Sequence, residues 1–122
     1  MKRILIIDDD PDMRNAIKRL LVSVNRDYEI HEAGDGIEAA QKIKEIHFHL
    51  VILDIKVPPS DGYDLCHSLR KKSRMVKIMA VSGFSKLIEG ATIVALGANC
   101  YLEKPFDNED FKTKVKELLA AG

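Results

Sequence analysis

Tryptophan is absent from the 122 residues, and aromatic side chains of every kind make up only 6%. A core must therefore be aliphatic, and no indole serves as an optical probe. Cysteine occurs twice, at Cys66 and Cys100, without metal-ligand spacing. A disulfide scaffold and a zinc module are both excluded, and the two thiols are expected to be reduced packing residues. Four prolines and seven glycines form no linker, repeat or low-complexity stretch. The net charge is zero, from 19 basic and 19 acidic residues, so no overall field draws the chain to nucleic acid or membrane. No apolar run approaches the roughly 20 residues of a membrane span. The apolar segment 4–7 is too short for a secretory signal and runs at once into acids. A single domain over residues 1–122, in the cytoplasm, is the expectation.

What the sequence does contain is organised around Leu50-Val51-Ile52-Leu53-Asp54-Ile55-Lys56-Val57-Pro58-Pro59-Ser60-Asp61-Gly62. Four apolar residues in an unbroken run predict a strand buried on both faces, as in a parallel sheet. It ends on a carboxylate, and in open α/β sheets ligands bind just beyond the carboxyl ends of strands.

The rest of the chain repeats the pattern. Residues 3–7 are a β-rich run ending on Asp8, Asp9 and Asp10. Asp10-Pro11 predicts a helix start, with an acidic N-cap and proline at the first position. Met13, Ile17, Leu20, Leu21 and Val24 give that helix an apolar stripe, ending near Asn25. A strand over 28–33 follows, then Gly34-Asp35-Gly36 and a helix expected to turn Ile37, Ala40 and Ile43 to the core. After Asp54, Tyr63, Leu65, Cys66 and Leu69 predict a third helix, closed by the basic run Arg70-Lys71-Lys72, which suits a helix C-terminus better than a nucleic-acid patch. Residues 77–81 predict a fourth strand ending at Ser82-Gly83. The helix expected over 85–96 is weak, because Gly90, Thr92, Ile93 and Val94 have low helix propensity, and Gly97 is its C′ residue. A fifth strand over 100–102 leads into Glu103-Lys104-Pro105-Phe106. Asp107 and Asp110 have capping-box spacing before a last helix carrying Phe111, Val115, Leu118 and Leu119. The four histidines are scattered and predict no metal site.

Five strand–helix alternations predict a doubly wound five-stranded parallel sheet with helices on both faces. One edge of that sheet then carries Asp8, Asp9, Asp54, Ser82 and Lys104. Two carboxylates about 4 Å apart repel by about 4 kcal/mol at an effective dielectric near 20. Such a cluster is tolerated when a cation occupies it, and hard oxygen ligands suit Mg²⁺. A lysine and a hydroxyl beside a metal are what a transferring phosphoryl group needs.

With Asp8-Asp9, Asp54, Ser82 and Tyr101-Leu102-Glu103-Lys104-Pro105 in this order, the whole chain resembles the receiver domain of bacterial two-component response regulators. The resemblance implies the flavodoxin-like strand order 2-1-3-4-5. It implies that Asp54 accepts a phosphoryl group from the phosphohistidine of a sensor histidine kinase or phosphotransfer protein. Asp8, Asp9, Asp54 and the main-chain carbonyl of Lys56 would hold Mg²⁺ or Mn²⁺. Lys104 and Ser82 would engage phosphoryl oxygens, and Tyr101 would move inward with Ser82. Lys56 and Phe84 would tune the lifetime of the phosphoryl group, and the Lys104–Pro105 bond would be cis. The product is a switch rather than a turnover enzyme. Its output surface would combine 85–96, the fifth strand and 107–120, serving an output partner or domain, or a homodimer, with no nucleic-acid binding of its own. Ser82, Gly83 and Val57 stand where the family more commonly has threonine, alanine and methionine, and Gly83 and Lys56 leave the hydrolysis rate open.

A phosphohydrolase of the haloacid dehalogenase type also opens on a strand and Asp-x-Asp, which Asp8 and Asp10 could mimic, but it needs a longer chain. A flavin carrier needs a Ser/Thr/Gly-rich phosphate loop where three aspartates stand.

Overall fold

Short runs of β-branched and aliphatic residues form one parallel sheet, and the segments between them fold back over it as helices. The computed structural model describes residues 1–56, 62–83 and 93–120. Strands β1 (Arg3–Ile7), β2 (Glu29–Ala33), β3 (Leu50–Asp54), β4 (Lys77–Ser82) and β5 (Cys100–Glu103) alternate with helices α1 (Pro11–Val24), α2 (Gly36–Glu45), α3 (Gly62–Lys72) and α4 (Asn108–Ala120). The sheet order is β2-β1-β3-β4-β5 with every pair parallel, the order the family resemblance implies. Of the helix expected over 85–96, residues 93–95 are helical and 84–92 lie outside the described residues. The same holds for Phe84 and for 57–61.

Strand alternation divides the core into two layers. Ile4, Ile6, Leu50, Ile52, Met79 and Val81 face Ile17 and Leu21 of α1 and Phe111, Val115 and Leu119 of α4. Leu5, Ile7, Val51, Leu53, Ile78 and Ala80 face Ala39 of α2 and Cys66 and Leu69 of α3. Fully burying one such aliphatic side chain stabilises the fold by about 1.5–3 kcal/mol. All of β3 is buried, which is why its sequence shows no alternation. Both cysteines are free, as expected.

Helix starts follow the sequence with two corrections. Asp10 caps α1, accepting the Asp12 N–H at 2.9 Å, with Pro11 first in the helix. Asp35 caps α2 by accepting the Glu38 N–H at 2.7 Å, while Glu38 reaches back to the Gly34 N–H at 2.7 Å. In α2 and at its C-cap, Ala39, Ile43 and Ile46 form the inner stripe. Ile37, expected in the core, is 63% exposed, and Ala40 is also exposed. At α4 only half of the expected capping box forms. Asp107 accepts the Glu109 N–H at 3.3 Å, but Asp110 turns to Lys114 at 3.4 Å. An aspartate is one methylene shorter than the glutamate this motif prefers.

At the other helix ends, Gly97 has φ of +119° and its N–H meets the Val94 carbonyl at 3.0 Å. The Ala98 N–H meets the Ile93 carbonyl at 3.1 Å, completing the paired-bond closure expected of a C′ glycine. Arg70 was expected only as part of a basic helix end. Its guanidinium instead donates to the carbonyls of Ser73 (3.2 Å), Arg74 (2.9 Å) and Gly97 (3.1 and 2.9 Å) and to Asn99 Oδ1 (2.9 Å). All five guanidinium N–H groups are thereby used.

Because helices run antiparallel to strands, helix N-termini crowd the carboxyl edge of the sheet and helix C-termini the amino edge. The carboxyl edge carries Asp8, Asp9, Asp10, Asp12, Asp35, Glu38, Asp54, Asp64, Glu103, Asp107, Glu109 and Asp110. The amino edge carries Lys2, Arg3, Lys44, Lys71, Lys72, Arg74 and Lys77. The acidic first turns of all four described helices and the basic last turns of α2 and α3 complement their helix dipoles.

Candidate functional site

β1 and β3 lie side by side, with Ile7 opposite Leu53, so the residues that follow them are neighbours. Asp8 is 2% exposed and Asp54 8%, while Asp9 is exposed. One carboxylate oxygen from each of Asp8, Asp9 and Asp54 can be chosen so that all lie within 4.8 Å of one another. Among the described residues this is the only cluster of three or more His, Cys, Asp or Glu side chains placed to hold a metal ion. The histidines are elsewhere: His31 pairs with Glu29, and His47 and His49 flank Phe48 at the amino edge.

Lys104 closes the cluster from β5. Its backbone N–H donates to the Ser82 carbonyl at 2.7 Å, which continues the β4–β5 ladder past Glu103 and carries the side chain over the sheet edge. The ammonium then lies 2.9 Å from Asp8 Oδ2 and 3.5 Å from Asp54 Oδ2. The Lys104–Pro105 bond is cis, as expected. Burial pulls the Lys104 pKa down, but the hydrogen bond to Asp8 and the charges of Asp54 and Asp8 outweigh it, so the amine is held charged. Asp54 is pushed above the usual carboxylate range, first by burial and further by the Asp8 charge. The Lys56 N–H and the Lys104 ammonium oppose that rise. The Lys56 N–H donates to Asp54 Oδ1 at 3.1 Å, and the Asp10 N–H donates to Asp8 Oδ1 at 2.9 Å. Each carboxylate is thus oriented by the chain two residues on.

Ser82, fully buried, ends β4 beside this group, with Asp54 paired one position earlier to Val81. Tyr101 is half-buried on β5, opposite Ala80, and packs on the layer containing α2 and α3. The structure therefore brings Asp8, Asp9, Asp54, Ser82 and Lys104 to one edge, as the sequence suggested, with Lys56 beside them and Tyr101 on the adjoining strand. Phe84 lies outside the described residues.

Two residues of this neighbourhood were not singled out from the sequence. Arg14 of α1 donates through Nη1 to the Asp8 carbonyl at 2.6 Å, and its Nε lies 3.1 Å from Glu32 of β2. Nothing in the sequence marks them, because their relation appears only once β2 is paired beside β1. Gly62 was noted only as part of a turn. It opens α3 directly under β3, where its N–H donates to the Ile55 carbonyl.

An open parallel sheet in this order, with carboxylates and one lysine converging at its carboxyl edge, defines a doubly wound α/β domain with a candidate cation site at the strand ends. The sequence matches the family model of the response regulator receiver domain over residues 4–116, and the chain belongs to that family. It is 33% identical over 124 residues to the DNA-binding dual master transcriptional regulator RpaA of Synechocystis, covering 98% of this chain and 49% of that protein. The chain spans about half the length of the curated relatives it matches. Among solved structures, the response regulator TrrA of Thermotoga maritima, in complex with Mg²⁺ and beryllium fluoride, is 37% identical with a TM-score of 0.85, covering 98% of this chain and 100% of that one. A CheY-like receiver domain protein from Methanospirillum hungatei is 32% identical with a TM-score of 0.91, covering 99% and 95%. No described helix is long and apolar enough to cross a membrane.

Proposed function

We propose that this domain is a phosphorylation-driven switch that takes a phosphoryl group onto Asp54 from the phosphohistidine of a sensor kinase or phosphotransfer protein. The observation that carries the reading is the meeting of Asp8, Asp9 and Asp54 within 4.8 Å, with the Lys104 ammonium bonded to two of them. An Asp54 oxygen bonds phosphorus as the P–N bond breaks, and the imidazole leaves with the electron pair and regains a proton from solvent. Asp54 is oriented for this by the Lys56 N–H. Lys104 stands where it neutralises a phosphoryl oxygen, and the Ser82 hydroxyl donates to another. Tyr101 follows Ser82 inward, and Lys56 and Phe84 set how readily water reaches the acyl phosphate.

The donor set is three carboxylates, to which the Lys56 carbonyl is a candidate fourth oxygen. It fits Mg²⁺ or Mn²⁺, and the Mg²⁺-bearing TrrA structure supports that choice. When bound, the ion supplies charge neutralisation for the transferring group. The domain is a stoichiometric acceptor rather than a turnover enzyme and works in the cytoplasm. It signals through the surface of 85–96, β5 and α4 to an output partner or domain, or to a second copy. The name of RpaA supports a DNA-binding output carried by another module rather than by this one.

The test is intact mass after incubation with Mg²⁺ and a small acyl phosphate or amidophosphate. One added phosphoryl group is expected on the wild type, dependent on Mg²⁺ and absent from Asp54→Asn. No adduct under conditions that slow hydrolysis would leave a domain that binds partners without phosphorylation.

A further inference from the structure

The Asp8 backbone sits where the sheet stops. Its N–H still donates to the Ala33 carbonyl at 3.1 Å, continuing the β1–β2 ladder. In a parallel pair the Asp8 carbonyl would next accept from residue 35. Asp35 has left the strand to cap α2, so that donor is not supplied by the ladder. Arg14 Nη1 replaces it at 2.6 Å.

Arg14 is itself held. Its Nε lies 3.1 Å from Glu32 Oε1, Lys18 Nζ lies 2.8 Å from Glu32 Oε2, and Lys42 Nζ donates to the Glu32 carbonyl at 2.5 Å. The Arg14 and Glu32 side chains are 19% and 29% exposed, so the pair is partly shielded from solvent. The Asp8 carbonyl belongs to the peptide unit that joins Asp8 to Asp9. Fixing its plane restricts ψ of Asp8 and φ of Asp9, and so narrows the directions in which both carboxylates leave the chain.

Resting on the metal-binding reading above, we infer that Arg14, braced by Glu32, is a positioning residue that sets the Asp8–Asp9 peptide plane and so preorganises the cation site. It touches neither the carboxylates nor a phosphoryl group. Groups that orient metal ligands commonly contribute about 10–100-fold to metal affinity. The guanidinium holds the carboxylate and the carbonyl through N–H donors fixed in one plane, a geometry that the flexible point charge of a lysine ammonium does not reproduce.

The sign of the effect separates positioning from charge. Arg14 is a cation near a cation site, so by Coulomb's law alone its removal would tighten Mg²⁺ binding. Positioning requires the opposite. Mg²⁺ titrations followed by the amide resonances of Asp9 and Asp54 would compare wild type, Arg14→Gln and Arg14→Lys below their melting temperatures. The expected result is Mg²⁺ binding about tenfold weaker or more in both variants. Unchanged or tighter binding in Arg14→Lys, with only a lower melting temperature, would overturn the role and leave Arg14 purely structural. That variant keeps the charge and so preserves the test if Arg14→Gln does not fold. A wild type that binds no Mg²⁺ would overturn the reading of the site, and the role of Arg14 with it.

Discussion

His49 shows how much one residue outside the site contributes to the frame that holds it. Its Nδ1 accepts the Arg3 N–H at 2.9 Å, tying the first residue of β1 to the chain entering β3. Only a neutral ring accepts there, so the proton resides on Nε2. Burial, together with the charges of Arg3, Lys2, His47 and the terminal amine, pulls the His49 pKa below its ordinary 6.5. The unfolded chain then binds the proton more readily than the folded one. His49's contribution is therefore intact above pH 6.5 and is lost as the pH falls toward its depressed folded value. Urea midpoints at pH 7.5 and 5.5 should fall further for wild type than for His49→Asn, whose amide oxygen accepts at either pH. The carboxylate cluster gives a second expectation at this scale. Asp9→Asn removes one of three crowded charges and should raise the melting temperature without Mg²⁺ by roughly 2–4 °C, while abolishing Mg²⁺-dependent phosphorylation. An unchanged or lower melting temperature would show that Lys104 already offsets the repulsion.

Among the described elements, α3 is constrained at both ends by contacts outside itself. A Cβ on Gly62 would lie 2.6 Å from the Ile55 Cα and 2.9 Å from the Ile55 carbonyl oxygen, both backbone atoms that cannot rotate aside. Gly62→Ala should destabilise by about 1–3 kcal/mol in denaturant titration and disturb Asp54, which immediately precedes the clash. At the other end, the bonds of Arg70 to Gly97 and Asn99 join α3 to the turn that enters β5. A charge-assisted hydrogen bond contributes about 1.5–3 kcal/mol, so Arg70→Ala should cost at least one such bond, and Arg70→Lys should recover only part of it. Sequence patterning anticipated both elements but neither constraint. Period and capping residues report on an element's own surface. The closeness of Gly62 to Ile55 and of Arg70 to Gly97 depends on how elements stack. For the same reason Ile37 was misplaced. Spacing alone fits either of two stripes on α2, and the choice of Ala39, Ile43 and Ile46 is made by packing against the sheet, which the helix's own pattern does not report.

For the whole molecule, the parallel sheet was legible from the alternation of strands and helices and the site from what each strand ends with, while the strand order came only with the family resemblance. In a parallel sheet all carboxyl ends share one edge, so Asp8, Asp54, Ser82 and Lys104 could be grouped without knowing a single distance. What strand ends cannot convey is the support behind them, as the link from Arg14 to the Asp8 carbonyl shows. The same directionality has a further consequence. A chain with as many acids as bases is electrically neutral only from far away. With an excess of carboxylates at one edge of the sheet and an excess of lysines and arginines at the other, the protein is a permanent electric dipole lying along its strands. It should bind weakly to both anion and cation exchangers at one low-salt pH and release from both as the screening length drops toward about 10 Å near 0.1 M salt. Any charged partner therefore meets it already rotated, and each added phosphoryl charge would strengthen the torque that turns it.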